Sequence, residues 1–338
     1  MVALVTGGSG FIGRHLVAAL LERGEAVRVL DVEPGEALPR GAEFIRGSVT
    51  DGVAVGAAMH GVRRVYHLAA NANLWVPDRG VFEAVNHGGT RTVLAAAGKA
   101  GVERIVVTST EGVLIGKRSP RRPFRVDETA ELTIGDMIGA YCRAKYRAEK
   151  AALVAARDGM PVVVVNPTLP VGPGDRRLTP PTRMILDLAN GTIPAYLDCY
   201  LNFIDVRDAA AGHILAAEKG RIGARYILGG ENLRMRDFIA VMAEVTGASV
   251  PHWRVPYWLA VAAATVDEAR STYVTKAPPK APLAGVRLAG RPALFDNTRA
   301  RTELGLPSRP IRDSLRDALA WLVWNGLVER PLPNLAVA

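Results

Sequence analysis

Tyr141 and Lys145 stand four residues apart in the string Tyr-Cys-Arg-Ala-Lys. On a helix that spacing sets a phenol and an ammonium on one face, one turn apart. A free tyrosine, with a pKa of about 10, is a poor base at neutral pH, but an adjacent positive charge favours the phenolate. Upstream, the run Arg104 to Thr108 ends in Thr108-Ser109-Thr110. Its hydroxyls can hold a carbonyl or alkoxide oxygen while Tyr141 exchanges a proton with it. Phenol, ammonium and hydroxyl together suit hydride transfer at an oxygen-bearing carbon. Tyr-x-x-x-Lys alone is an ordinary helix-surface pair, so the chemistry requires a cofactor site beside it.

The first thirteen residues supply one. Across Val2 to Gly13 an apolar strand runs into three spaced glycines and then a helix from about Phe11 to Arg23. Gly7 permits the tight turn, Gly10 lets backbone approach a pyrophosphate, and Gly13 lets the helix pack on the strand. The free N–H groups and positive end of the helix face the phosphates. The next strand, Ala26 to Leu30, ends at Asp31, placed to accept hydrogen bonds from the adenosine ribose hydroxyls. Such a carboxylate repels a 2′-phosphate, so NAD is expected rather than NADP.

Further short apolar runs, Glu43 to Arg46, Arg64 to Leu68, Arg104 to Thr108 and Pro161 to Asn166, alternate with helical stretches at Phe82 to Gly98 and Ile138 to Arg157. Continuous apolar strands separated by helices indicate an α/β fold, a doubly wound parallel sheet covered on both faces. Ligands then lie at the carboxyl ends of its strands. From Pro167 the composition changes to proline-broken loops, with one more helix and strand at Val206 to Lys219 and Arg225 to Leu228. Helical patterns follow at Met235 to Thr246, Tyr257 to Arg270 and Ile311 to Trp324. The expected organisation is a dinucleotide-binding domain over 1–167, rejoined by 202–228, and a smaller substrate lobe from 168–201 and 229–338.

Bulk properties narrow the class. A chain of 338 residues that is 49% hydrophobic supports a sizeable core. Two cysteines, Cys142 and Cys199, give neither a disulfide framework nor a zinc pattern and suit a reducing cytoplasm. No export signal opens the sequence, and no apolar run reaches the roughly 20 residues of a membrane span. The formal charge of +9 concentrates in Lys117, Arg118, Arg121, Arg122 and Arg125, read as a solvated loop; no nucleic-acid module accompanies it. The six histidines show no metal spacing, so no metal site is expected.

The ordered set Gly7-Gly8-Ser9-Gly10-Phe11-Ile12-Gly13, His67-Leu68-Ala69-Ala70, Val85-Asn86, Thr108-Ser109-Thr110 and Tyr141…Lys145 resembles the extended short-chain dehydrogenase/reductases over nearly the whole chain. That resemblance implies a Rossmann fold, Tyr141 as general acid/base, and Lys145 as the residue that lowers its pKa and binds the nicotinamide ribose. It makes Thr110, with Ser109 as the alternative, the substrate-polarising hydroxyl. Ala69, Ala70, Phe11, Ile12, Ser109, Pro167 and Thr168 join the glycines and Asp31 around the cofactor. Family members often pair through the helices that hold Asn86 and Tyr141, which implies a homodimer.

Two branches of the family compete. Sugar-nucleotide epimerases and dehydratases usually show Asn-Val-Tyr-Gly-Pro after the sixth strand and Arg-Asp-Phe later; this chain has Leu169 and Leu201 at the asparagine and arginine positions. Asn166-Pro167-Thr168-Leu169-Pro170-Val171-Gly172-Pro173 looks instead like the dihydroflavonol reductases and 3β-hydroxysteroid dehydrogenases, which act on hydrophobic ketones or secondary alcohols. Leu74-Trp75-Val76-Pro77-Asp78 and Asp136-Met137-Ile138-Gly139 most closely resemble bacterial proteins labelled hopanoid-associated sugar epimerases. The usual Gly-Asp after the third strand is Gly47-Ser48 here, and Asp51 comes late. Asn71, Asn73 and Trp75 follow a strand end and are candidates for the small-molecule substrate pocket. His67 is read as a packing residue. Trp253, Tyr257 and Trp258 read as part of a core helix, with a lid or weak contact with a membrane surface as the alternative.

Overall fold

The computed structural model describes residues 2–35 and 38–335. In chain order, β1 (Val2–Thr6), α1 (Phe11–Glu22), β2 (Ala26–Asp31), β3 (Glu43–Arg46), α2 (Gly52–Ala58) and β4 (Val62–His67) come first. A π-helical stretch, Phe82–Gly88, leads into α3 (Gly89–Ala100), followed by β5 (Arg104–Thr108), β6 (Phe124–Val126), α4 (Gly139–Arg157) and β7 (Val162–Pro167). Next are β8 (Leu169–Val171), α5 (Pro180–Asn190), β9 (Ala195–Leu197), β10 (Tyr200–Asp205), α6 (Val206–Lys219) and β11 (Arg225–Leu228). Last come β12 (Glu231–Arg234), α7 (Met235–Thr246), β13 (Trp253–Val255), α8 (Tyr257–Arg270), α9 (Leu283–Ala289), β14 (Ala293–Phe295) and α10 (Ile311–Trp324).

Seven strands form one sheet in the order β11-β7-β5-β4-β1-β2-β3, every pair parallel. The chain winds outward from β1 through β2 to β3, then returns to place β4 on the other side of β1. Thr6 is in register with both Leu30 and His67, so the crevice opens where the winding reverses, at the carboxyl ends. Helices cover both faces, which is why Val162, Val163, Val164 and Val165 of β7 are fully buried. One face packs Val17 and Leu20 of α1 and Ala209 and Ile214 of α6; the other packs Val93 and Leu94 of α3 and Ala152 of α4. Each large apolar side chain buried this way contributes about 1.5–3 kcal/mol.

A separate apolar core gathers Ile185 and Leu186 of α5, Phe238 and Met242 of α7, and Leu315 and Leu319 of α10. The Phe203 and Phe238 rings stack at 4.4 Å within it. It sits with a three-stranded sheet, β12-β10-β8. The change-over falls within β10, where Ile204 already packs in the first core. Phe203 of β10 belongs to the second core because β10 pairs with β8 and β12.

Helix α8 is not the core helix read from its composition. Ala264 is its one buried residue, and Trp253 just before it and Trp258 within it are 79% and 70% exposed. No helix among the described residues is long and apolar enough to cross a membrane. The basic run is tied down: Lys117 donates to the Gly135 carbonyl, Arg118 and Arg125 face Asp136 and Asp296, and Arg121 lies over the Tyr257 ring.

Candidate active site

The glycine turn is shaped by close approach. Gly7 has φ +73°, and a side-chain carbon on it would stand 2.6 Å from the Ala69 nitrogen; one on Gly13 would stand 2.2 Å from the Gly7 carbonyl oxygen. Only glycine fits either place. Helix α1 begins at Gly10 with no capping side chain, so its first-turn N–H groups remain for a ligand. Asp31 at the end of β2 is held by two backbone donors, Ser9 N at 3.1 Å and Val32 N at 2.8 Å. That geometry fits a dinucleotide: donors for its phosphates at one point, an acceptor for ribose hydroxyls at the next. Arg28 is engaged elsewhere, with Glu43 and the carbonyls of Ala58 and His60, so it does not neutralise Asp31. At the far end Gly47 and Ser48 line the crevice, while Asp51 caps α2 through Val53 N and Ala54 N.

One crevice of about 560 Å³ is lined by Gly7, Gly10, Phe11, Ile12, Gly13 and Asp31, and also by Ala69, Ala70, Asn71, Asn73, Ser109, Thr110, Tyr141, Lys145, Pro167 and Thr168. Every anticipated site residue but one is therefore brought together. The exception is Trp75, which is 6% exposed, lies outside the crevice lining, and donates its ring N–H to Thr272 Oγ1 at 3.3 Å. Its partner lies 197 residues away in sequence. A large apolar ring with one N–H donor is most stable where the ring is packed and the donor satisfied, and no local pattern reveals that place.

Tyr141 and Lys145 share one face of α4. Burial pushes the Tyr141 phenol above its ordinary value, a hydrogen bond with Thr110 opposes this, and Cys142 and Glu111 push it further up. Lys145 is 4% exposed and donates from Nζ to the Thr108 carbonyl at 2.5 Å. Burial lowers its pKa to about 8, with Glu149 acting against that shift. The expectation that Lys145 favours the phenolate is not met here: Lys145 is not among the groups that act on the Tyr141 phenol, its ammonium donates to the end of β5, and desolvation dominates both groups. The phenol is held protonated, the form that donates to a developing alkoxide.

Three residues not anticipated from sequence support this set. Glu149, one further turn along the same helix face, accepts from Arg225 at 3.1 Å and Asn166 at 2.8 Å. Asn166 also donates to the Thr110 carbonyl at 3.1 Å, fixing the strand end that carries the hydroxyl. Glu111, next to Thr110, lines the crevice as well. The recurring spacing of Tyr141, Lys145 and Glu149 was the available signal for the first. His67 is buried between Thr6 Oγ1 at 2.7 Å and Thr90 Oγ1 at 2.9 Å, and burial lowers its pKa to about 3. It is a neutral packing residue, as read.

Comparison with known proteins agrees with this architecture. The NAD dependent epimerase/dehydratase family matches residues 3–229. A protein from Synechocystis named a dihydroflavonol 4-reductase is 38% identical over 332 residues, covering 96% of this chain and 95% of its own. The sterol demethylase protein B of Methylococcus capsulatus is 32% identical over 335 residues, covering 97% of this chain and all of its own (100%). Among solved structures, gox2253 superposes with a TM-score of 0.83 at 36% identity, covering 97% of this chain and 99% of that one. This chain belongs to the NAD dependent epimerase/dehydratase family and is an oxidoreductase of the extended short-chain dehydrogenase/reductase type.

Proposed function

We propose that this protein moves a hydride between NAD and a secondary alcohol or ketone on a fairly apolar small molecule. The observation that carries the reading is the single crevice in which the Thr110 hydroxyl, the Tyr141 phenol and the glycine turn meet. Bound NAD supplies or takes up the hydride. Thr110 and Tyr141 receive the carbonyl oxygen, and the phenol, kept protonated by burial, delivers its proton as charge develops there. Lys145 and Asn166 hold the two ends of Thr108-Ser109-Thr110 by the Thr108 and Thr110 backbone carbonyls, so the hydroxyl is placed before the substrate arrives. Leu169 faces the crevice with a hydrocarbon side chain, as do Leu74 and Leu288, which favours an apolar body on the substrate. The substrate lobe of this reading is the second core with the loop Asn71 to Asn73.

Arg177, a cation lining the same crevice, is the observation behind a second reading, a sugar-nucleotide epimerase or dehydratase that uses NAD transiently. A panel of ketones and secondary alcohols with NAD(H) and NADP(H), followed by nicotinamide absorbance, separates the two. Net cofactor turnover supports the oxidoreductase; an epimerase restores its cofactor each cycle and shows none. Two associations belong to the proposal. A homodimer formed through the Phe82–Gly88 stretch, α3 and α4 predicts twice the chain mass by light scattering. Weak contact with a membrane surface, supported by exposed Trp253, Trp258 and Tyr273, predicts co-sedimentation with anionic vesicles that a Trp258→Glu variant loses.

A further inference from the structure

Helix α8 is built inside out. Along it and the π-helical turn Ser271–Thr275 that continues it, the shielded positions recur at Ala260, Ala264, Asp267, Glu268 and Ser271, while Trp258, Leu259, Val266, Tyr273 and Val274 are turned to solvent. A surface helix ordinarily buries its apolar stripe and shows its charges. Here the two acids are the groups drawn in: Asp267 accepts the Lys280 N–H at 2.7 Å, and Glu268 accepts from Leu283 N and from Arg79, both at 2.9 Å. An apolar face of this kind marks a surface that something else covers. The surrounding charges identify the cover. Of the eight charged residues from Arg254 to Arg291 six are basic, and Arg254, Arg270, Lys276, Lys280 and Arg287 are exposed. Exposed indole and phenol rings edged by cations match the headgroup level of an anionic bilayer, whereas interfaces between proteins are depleted of lysine.

The same helix is tied to the crevice. Thr272 accepts the ring N–H of Trp75 at 3.3 Å, and Glu268 pairs with Arg79. These two anchors belong to the loop whose Asn71, Asn73, Leu74 and Val81 line the crevice. Within α8 only Ala264 is buried, and a helix with so little apolar burial opens locally at low cost. Each opening releases both anchors of the loop.

We infer that α8 docks on an anionic bilayer and that docking steadies the substrate loop from Asn71 to Val81. The bilayer supplies the apolar contact that the helix lacks, so it suppresses the opening that would free Trp75 and Arg79. The inference goes beyond surface contact by making the bilayer a regulator of the crevice, and it rests on the oxidoreductase reading only for what the loop holds.

The test uses the full chain with phosphatidylcholine vesicles that contain phosphatidylglycerol, against phosphatidylcholine alone. Flotation gives the affinity, and hydrogen exchange read by mass spectrometry follows the backbone amides of residues 71–82. Exchange there is expected to slow about tenfold at a lipid concentration about ten times the half-saturating one. Arg270→Gln and Lys276→Gln should each weaken binding roughly fivefold. Trp258→Glu combined with Val266→Glu should abolish it, whereas Val53→Glu, at an equally exposed apolar position on α2, should change nothing. Thr272→Val combined with Arg79→Gln cuts both ties to the loop. That chain should still float with the vesicles, which also reports a folded α8, and its exchange should no longer respond to them. Absence of binding to the anionic vesicles, or a mass by light scattering that falls in Trp258→Glu and so assigns the face to a second copy, overturns the inference. So does binding that leaves exchange over residues 71–82 unchanged, or a slowing that persists in the uncoupled variant. Failure of the ketone and alcohol panel to turn over nicotinamide instead overturns the oxidoreductase reading and leaves the docking standing.

Discussion

The Asn86 side chain pairs with both backbone groups of Asn71: Oδ1 accepts its N–H at 2.8 Å and Nδ2 donates to its carbonyl at 3.0 Å. A single fully buried amide thereby does for the crevice-lining loop what a neighbouring strand does for an edge. Asn86→Ala leaves both backbone groups without partners and should destabilise the fold by about 1–3 kcal/mol per lost partner. Asn86→Asp, which keeps only the acceptor, should fall between. Urea unfolding midpoints of the three proteins check the order.

Tyr141→Phe removes the proton donor and leaves the ring's edge-on contact with Phe82 at 6.1 Å. On the proposed mechanism kcat falls by roughly 10²- to 10⁴-fold, while NAD affinity by calorimetry is unchanged. A variant that keeps full activity would remove Tyr141 from the chemistry.

Asp31 governs the choice of coenzyme. Asp31→Ser keeps a short polar group near Ser9 N and Val32 N while deleting the charge that repels a 2′-phosphate. The ratio of kcat/KM for NADP over NAD should rise at least about tenfold, equivalent to about 1.4 kcal/mol. Parallel steady-state assays with the two coenzymes measure it.

At Gly13 the constraint is steric. An added carbon would lie 2.2 Å from the Gly7 carbonyl and 2.8 Å from the Gly8 Cα, both backbone atoms that cannot move without opening the turn. Gly13→Ala should lose dinucleotide binding by calorimetry and melt at a lower temperature. Gly24→Ala, where an added carbon meets nothing within 4 Å though φ is +75°, should bind normally.

Acid should unfold this protein partly through two histidines. Burial lowers His67 to about 3 and His213 to about 4 from an ordinary 6.5. A depressed folded-state value means the unfolded chain binds the proton first. Their contribution is therefore complete above pH about 6.5 and drains away as pH falls toward 4 and 3, each imidazole removing up to about 1.4 kcal/mol per pH unit. Unfolding free energies measured from pH 7 to pH 4 should decline accordingly, and less steeply in His213→Gln, where the bonds to Ala209 and Thr108 no longer involve a titrating ring.

Periodic elements were legible in the sequence almost to the residue. Val206–Lys219, Arg225–Leu228, Met235–Thr246, Tyr257–Arg270 and Ile311–Trp324 declare themselves because amphipathic spacing and turn residues act locally. The glycine turn, Asp31, Thr110 and the Tyr141/Lys145 pair were readable for the same reason: strand, turn and helix fix them relative to near neighbours. Partners distant in the chain were not readable. Trp75 meets Thr272, and Asn166 bridges Glu149 and Thr110, and each depends on which segments the fold brings past one another. The widened π-turn at Phe82–Gly88 was also hidden, since its composition is that of a plain helix.

The two apolar cores are laid down by alternating stretches of one chain. Ile185 to Phe203 build the second, Val163 and residues 204–228 with Ala300 to Leu306 build the first, and Met235 to Val245 and Ile311 to Leu335 return to the second. No single protease nick can therefore release either half. A nicked molecule stays clasped through its remaining crossings, and neither half can be grafted elsewhere as one uninterrupted piece.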